Sequence, residues 1–351
     1  MTARRSRTRW IWTGVLLALV LLLFTACTES APQSTLEPEG PVARQQDDLF
    51  RPVFWIATAV FVFVEGLILL IVVKFRHREG RDAIPTQVHG NKRLELLWTI
   101  IPTVILAGIA VPTIGAIFNL SREPDPATRL DVTIIAHQWW WEVEYPEERV
   151  ITANEIHIPT GRPVYFRLES RNQGAEIPVI HSFWVPKLGG KQDVVPGRIV
   201  HLTYEAEQPG TYLGQCAEFC GISHAYMRLR MIAHTPEDFE AWLENEGSRA
   251  ATPDSGLAQR GFELFQSFPG GSCMACHAIN GLDGAAARIG PDLTHFGSRE
   301  TFAGAIADLT PEELRRWLDD PASVKPGAKM PDYGLSDEEI EALVAYLLSL
   351  E

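Results

Sequence analysis

Apolar residues cluster toward one end of the chain. Val53 to Val73 is apolar apart from Thr58 and Glu65, and Leu96 to Phe118 is a second such run. At about 1.5 Å per residue, either run crosses a hydrocarbon layer of roughly 30 Å as a helix. Pro102 and Pro112 fall inside the second run, where neighbouring helices can satisfy the carbonyls that proline frees. A shorter apolar stretch, Ile11 to Phe24, precedes both. Beyond residue 120 the pattern changes to period two. Leu130-Asp131-Val132-Thr133-Ile134, Val164-Tyr165-Phe166-Arg167-Leu168 and Ile199-Val200-His201-Leu202-Thr203 alternate, punctuated by Pro159-Thr160-Gly161 and Pro196-Gly197. Short strands at this spacing predict an all-β sandwich or barrel over 128–236. Thr235-Pro236-Glu237 then opens a helix, with a cap and proline at the first helical position. From Leu257 the period is helical, over Leu257 to Phe268, Thr310 to Leu318 and Ser336 to Leu350, the last opened by the capping box Ser336-Asp337-Glu338-Glu339.

The expected architecture is therefore multidomain. A signal-like segment, 1–26, has Arg4, Arg5, Arg7 and Arg9 before its apolar core and Thr25-Ala26-Cys27 after it. It resembles a bacterial lipoprotein cleavage site, in which Cys27 becomes lipidated; an uncleaved first span is the alternative. Residues 27–50 are polar, with Pro32, Pro38 and Pro41, and predict a flexible tether. A two-helix transmembrane hairpin follows over 51–120, then the β domain over 128–236, a helix and linker over 237–254, and an all-α domain over 255–351. The turn of the hairpin carries Lys74, Arg76, Arg78, Arg81, Lys92 and Arg93 against Glu79 and Asp82, which places it on the cytoplasmic side and both flanks outside. Localisation in a bacterial cytoplasmic (inner) membrane follows, with both exported domains on the outer face.

Charge narrows the partners. There are 31 Lys+Arg against 44 Asp+Glu, a formal net charge of −13, so a nucleic-acid partner is not expected. Two spans are too few for a polytopic transporter and too many for a wholly soluble protein. Glu65 lies near the middle of a span, where charge is costly, and has no assignable role. Glu95 opens the second span, where a solvated carboxylate at a helix start is an adequate explanation.

Chemistry concentrates in five cysteines. Apart from Cys27 they form two pairs, Cys216/Cys220 and Cys273/Cys276. Disulfides are the bland reading for an exported chain, but each pair sits in a denser constellation. Cys273-Met274-Ala275-Cys276-His277 has the spacing of covalent haem c attachment, with His277 beneath the iron. Met330, in Lys325-Pro326-Gly327-Ala328-Lys329-Met330-Pro331, is the candidate sixth ligand and His295 its rival. Met274 lies inside the attachment loop and cannot reach the opposite face. The segment resembles a class I cytochrome c domain, with Gly290-Pro291-Asp292-Leu293 and the Met330-Pro331 loop both matching.

The other pair lies in Cys216-Ala217-Glu218-Phe219-Cys220-Gly221-Ile222-Ser223-His224-Ala225-Tyr226-Met227, with His181 upstream. Two thiolates, two imidazoles and a thioether form a soft set suited to copper. A zinc site of two cysteines and two histidines is the rival, although zinc has no use for Met227. Residues 45–235 resemble cytochrome c oxidase subunit II, and the loop resembles its binuclear copper centre, CuA, on a cupredoxin-like sandwich. The resemblance implies that Cys216 and Cys220 bridge two coppers and that His181 and His224 are terminal ligands. It implies weak ligands in Met227 and the Glu218 carbonyl, with the Glu218 carboxylate reaching a Mg²⁺ shared with subunit I. Trp139, in Ala136-His137-Gln138-Trp139-Trp140-Trp141, matches the residue through which electrons enter. Glu95, in Lys92-Arg93-Leu94-Glu95, matches a carboxylate at the mouth of a proton channel in subunit I.

The implied activity is electron relay from a donor through haem c to CuA and on to subunit I, where O₂ is reduced to water with proton translocation. The implied partners are subunit I, other oxidase subunits and a donor, either a cytochrome or a quinol–cytochrome c reductase. Residues 253–351 hold seven bases and sixteen acids, a net of −9 that suits a basic donor. A CuA-bearing subunit of a nitric oxide reductase and a membrane-anchored copper carrier or assembly protein are the alternatives. A quinol oxidase subunit is disfavoured, since that relative lacks the copper ligands found here.

Overall fold

The computed structural model of the chain describes residue 14 and residues 31–76, 87, 89–171, 177–253, 256–268 and 270–351. The expected signal segment, Cys27 and most of the basic hairpin turn lie outside the described residues.

Helix α1 spans Pro41–Phe75 and α2 spans Lys92–Leu120. Their apolar side chains are exposed almost throughout, as lipid or a partner subunit requires. The Asn91 side chain accepts from the amides of Arg93 and Leu94 and so caps α2. Glu95 lies in the first turn, near the positive end of the helix dipole.

The flexible tether expected over 27–50 does not describe residues 31–50. Helix α1 begins at Pro41, well before the apolar run, because its polar first turns pack on the β domain. Ala43 and Asp47 are buried there. The Glu39 amide donates to the Lys187 carbonyl at 2.9 Å, and the Glu207 amide donates to the Glu39 carbonyl at 3.1 Å. Gly40 lies so close to the Glu205 backbone that a Cβ would sit 2.0 Å from that carbonyl oxygen.

The exported β domain is a sandwich of ten strands: β1 Leu130–His137, β2 Trp140–Tyr145, β3 Val150–Ala153, β4 Glu155–Pro159, β5 Val164–Ser170, β6 His181–Trp184, β7 Gln192–Val194, β8 Val200–Tyr204, β9 Gly210–Cys216 and β10 Arg228–His234. One sheet has the order β3-β2-β1-β5-β8 and the other β4-β10-β9-β6-β7. The pairs β1–β5 and β4–β10 are parallel and the remainder antiparallel. The inward rows close on Trp141, Tyr145, Phe166, Phe183 and Tyr204, all fully buried. At one end of the sandwich β9 delivers Cys216, β6 delivers His181, and the 217–227 loop returns into β10.

Helix α3, Pro236–Glu246, packs Phe239 and Leu243 onto the sandwich and leads to the last domain. That domain contains α4 Gly256–Gln266, a single helical turn at Cys273–Ala275, α5 Pro311–Asp319, α6 Pro321–Val324 and α7 Asp337–Leu348. It is helical apart from a small ladder of β11, Thr301–Phe302, and β12, Ala307–Asp308. Helices α4 and α7 cross at Gly261, where a Cβ would lie 1.9 Å from the Ala342 carbonyl oxygen. A close crossing of this kind needs glycine. The capping box at Ser336 and Glu339 forms as the sequence predicts.

Candidate metal centre

The loop after β9 gathers six donors. The sulfurs of Cys216 and Cys220 are 3.8 Å apart and both residues are buried. His181 Nδ1 lies 3.8 Å from the Cys216 sulfur, and the Glu218 carbonyl oxygen lies 3.3 Å from it. His224 Nδ1 lies 3.6 Å from the Cys220 sulfur and the Met227 sulfur 3.9 Å. A disulfide requires about 2.05 Å between sulfurs, so the thiols are free, as the separation shows.

The 3.8 Å separation fits a shared metal. With metal–sulfur bonds of about 2.3 Å, it corresponds to an angle at the metal of about 110°, close to tetrahedral. His181, Cys216 and Cys220 alone already form a group able to hold a metal ion. A hydrogen bond between the two sulfurs holds the Cys216 thiol well below the ordinary range and pushes Cys220 up. One shared proton holds the pair as thiol and thiolate; with both sulfurs ionised, a cation between them would offset their repulsion.

Why the loop folds this way is visible in its hydrogen bonds. The Cys216 amide donates to the Met227 carbonyl at 2.8 Å, closing the loop at its base. Trp139 Nε1 and Gln138 Nε2 both donate to the Cys220 carbonyl, at 3.0 and 2.7 Å. Gly221 has φ +117° and lies beneath the Trp139 ring, where a Cβ would come within 3.0 Å. The position needs glycine for both reasons. Trp141 meets the His181 ring edge-on at 6.0 Å and helps fix its orientation. The Glu218 carboxylate accepts from the Phe219 amide at 3.2 Å.

In the helical domain, Cys273 and Cys276 are free and half-buried, and burial pushes the Cys273 thiol up to about 11. His277 Nδ1 donates to the Pro291 carbonyl at 2.7 Å, which leaves Nε2 free to face a metal. Burial lowers the His277 pKa, and the Pro291 bond partly opposes this. The Met330 sulfur accepts from Trp317 Nε1 at 3.2 Å. The rival ligand His295 is buried, with Nδ1 at 2.9 Å from the Glu351 main-chain oxygen and Nε2 at 3.3 Å from the Ser248 carbonyl. Both of its nitrogens are engaged with main-chain oxygens.

The domains meet across a set of contacts that sequence reasoning missed. Arg288 donates to Glu142 at 3.2 Å and to Glu144 at 2.6 Å, and Glu142 also pairs with His137 at 2.8 Å. Glu155 accepts from the amides of Glu300 and Thr301, at 3.2 and 2.7 Å. Lys325 is buried, and burial pushes its pKa down to about 7. The run Lys325 to Met330 was legible as a ligand loop, but nothing in it announced a junction.

Family models match three stretches of the chain. They are the cytochrome C oxidase subunit II transmembrane domain over residues 33–115, the periplasmic domain of the same subunit over 152–233, and cytochrome c over 258–351. The cytochrome c oxidase subunit 2 of Alkalihalophilus pseudofirmus is 38% identical over 340 residues, covering 95% of this chain and 96% of its own. That of Bacillus subtilis is 36% identical over 357 residues, covering 96% and 97%. A solved structure, the periplasmic domain of subunit II of cytochrome oxidase from Bradyrhizobium japonicum, is 26% identical, covers 34% of this chain and 95% of that chain, and gives a TM-score of 0.32.

Proposed function

Because the chain belongs to the cytochrome c oxidase subunit II family, we propose that its two exported domains relay single electrons toward a haem–copper subunit I that reduces O₂. The carrying observation is the convergence of two free thiols, two imidazoles, a thioether and a carbonyl on one buried spot, joined to a family match over nearly the whole chain. Cys216, Cys220, His181, His224, Met227 and the Glu218 carbonyl would hold CuA; Cys273 and Cys276 would attach haem c, with His277 and Met330 as the side chains that bind its iron. When bound, these groups accept and release one electron at a time with little change in geometry. The chain's own work is to hold the donors fixed, exclude water and set the spacing between centres. Rigidity follows from the buried Cys216 and Met227 and from the carbonyl of Cys220 being held by two donors.

Finer roles extend this reading. The Glu218 carboxylate serves a Mg²⁺ at the boundary with subunit I. Glu95, at the cytoplasmic start of α2, serves a proton path into subunit I. The membrane is a bacterial cytoplasmic one with both metal domains outside. The donor is a basic cytochrome, or a quinol–cytochrome c reductase, facing the acidic last domain. Trp139 is where electrons reach CuA, since its ring nitrogen holds the carbonyl of a copper-bearing cysteine.

Replacement of Cys216 by serine tests the site. The expected result is loss of the copper absorption with the haem c band intact. Unchanged copper absorption in Cys216→Ser would overturn the ligand assignment.

A further inference from the structure

The helical domain does not merely hang from the sandwich. Its loop Lys325 to Lys329, which leads directly into Met330, is seated on the residues beside the copper-ligating loop. The Lys325 ammonium donates to the Trp139 carbonyl at 2.5 Å and to the Ala303 carbonyl at 3.0 Å, one acceptor from each domain. Ser223, next to His224, donates its hydroxyl to the Pro326 carbonyl. Gly327 has φ +80° and lies against Ile222 and Trp139, where a Cβ would be 2.3 Å from one and 3.5 Å from the other. Lys329 Nζ stands 5.5 Å over the Trp139 ring and donates to Gln138 at 3.3 Å.

Lys325 is only 5% exposed, and both of its acceptors here are neutral carbonyls. Burying a cation is costly, so this residue adds little to the strength of docking; it favours the arrangement that keeps its acceptor on the other domain over those that bury it without one. A shifted pose would cost the ammonium its Trp139 acceptor and leave it only the Ala303 carbonyl of its own domain. The turn between β11 and β12 is shaped around it. Ala303, Gly304 and Ala305 all have positive φ, and a Cβ on Gly304 would lie 2.6 Å from Lys325 Nζ and 2.8 Å from the Tyr226 carbonyl. The Gly304 carbonyl in turn accepts from the Arg228 amide at 3.0 Å, a backbone bond between domains.

We propose that Lys325 is a positioning residue, pinning the Met330 loop onto Trp139 so that electrons cross between the domains at one fixed junction. This rests on the reading of the two sites as haem c and CuA. The junction passes one electron per event, from ferrous haem c, oxidised to ferric, to the copper pair, reduced by one. No bond at Lys325 or Trp139 breaks, and no proton is transferred.

The test uses the full chain with both centres loaded. A single electron is injected photochemically into haem c, and its arrival at copper is followed optically. Hydrogen exchange at the Arg228 amide is read in parallel. In Lys325→Met the transfer slows by about tenfold or more, equal to ~1.4 kcal/mol or more. Arg228 exchanges faster, while the spectra of both centres and the haem c potential stay as in the native chain. Gly304→Ala, which displaces the ammonium from the other side, gives the same two changes. Arg230→Gln, which breaks only the peripheral pairs to Glu300 and Asp308, leaves the rate unchanged. Native transfer rates in both Lys325→Met and Gly304→Ala, with intact spectra, would overturn the inference and leave the functional reading standing. Absence of the copper or haem signal from the native chain would overturn the functional reading itself, and the inference with it.

Discussion

Gly290→Ala isolates the geometry around His277. A Cβ at position 290 would lie 2.6 Å from His277 Cε1, 3.0 Å from Nδ1 and 3.1 Å from Nε2. Ordinary contact begins near 3.4 Å, so the ring or the loop must yield by about 1 Å, the scale of overpacking that costs about 1–3 kcal/mol. The Nδ1 bond to the Pro291 carbonyl, now 2.7 Å, does not survive such a shift within hydrogen-bonding range. Losing it leaves the imidazole a poorer donor to iron. Ferric haem needs that donation more than ferrous haem does, so the haem c potential rises. One electron converts each ~1.4 kcal/mol of differential loss into about 59 mV, which sets the expected rise at some tens of millivolts. A spectroelectrochemical titration of the full chain reads it, with the copper band as an internal control that stays in place. An unchanged haem c potential with an unchanged spectrum would refute the placement of His277 as the ligand ordered by Pro291.

Other expectations are independent of this one. Gly261→Ala should destabilise the haem domain by about 2 kcal/mol, despite alanine's better helix propensity, because its methyl strikes the Ala342 carbonyl; thermal unfolding followed at the haem band measures it, and an unchanged midpoint would contradict the close crossing. His157 is stacked on Trp242 and hydrogen-bonded to His234 at 2.7 Å. Burial, reinforced by His234, drives its pKa from 6.5 to about 3. The unfolded chain therefore binds the extra proton between these values, and stability falls as pH drops through that window, by about 3 kcal/mol between pH 6.5 and 4. Denaturant titrations over this range should show the loss, and His157→Phe should flatten it. Turnover with a basic soluble cytochrome should fall steeply with ionic strength if the acidic last domain guides docking; a flat salt response would remove that role.

The features legible in the sequence are those written in short windows. The two spans follow from continuous apolar length, and the metal loop from donors spaced within twelve residues, Cys216 to Met227. The capping box at Ser336 depends on four consecutive residues and forms as expected. What was hidden depends on long-range contact. Helix α1 starts at Pro41 because Asp47 and Ala43 meet the sandwich, which no hydropathy window registers. The parallel pairing of β1 with β5 joins strands separated by an entire hairpin and β4. No local pattern marks a partner for Glu155, Arg288 or Lys325, yet each reaches a residue more than 140 positions away in the other domain. His295, the rival haem ligand, has its ring nitrogens against the main-chain oxygens of Glu351 and Ser248, contacts that lie 56 and 47 positions away in the chain.

Metal and haem analysis of the purified full-length chain, taken together with its optical and electron paramagnetic resonance spectra, bears on everything above. Two coppers in a mixed-valence pair and one covalently bound haem per chain are expected. A colourless chain, with Cys216 joined to Cys220 and Cys273 to Cys276 as disulfides, would contradict it.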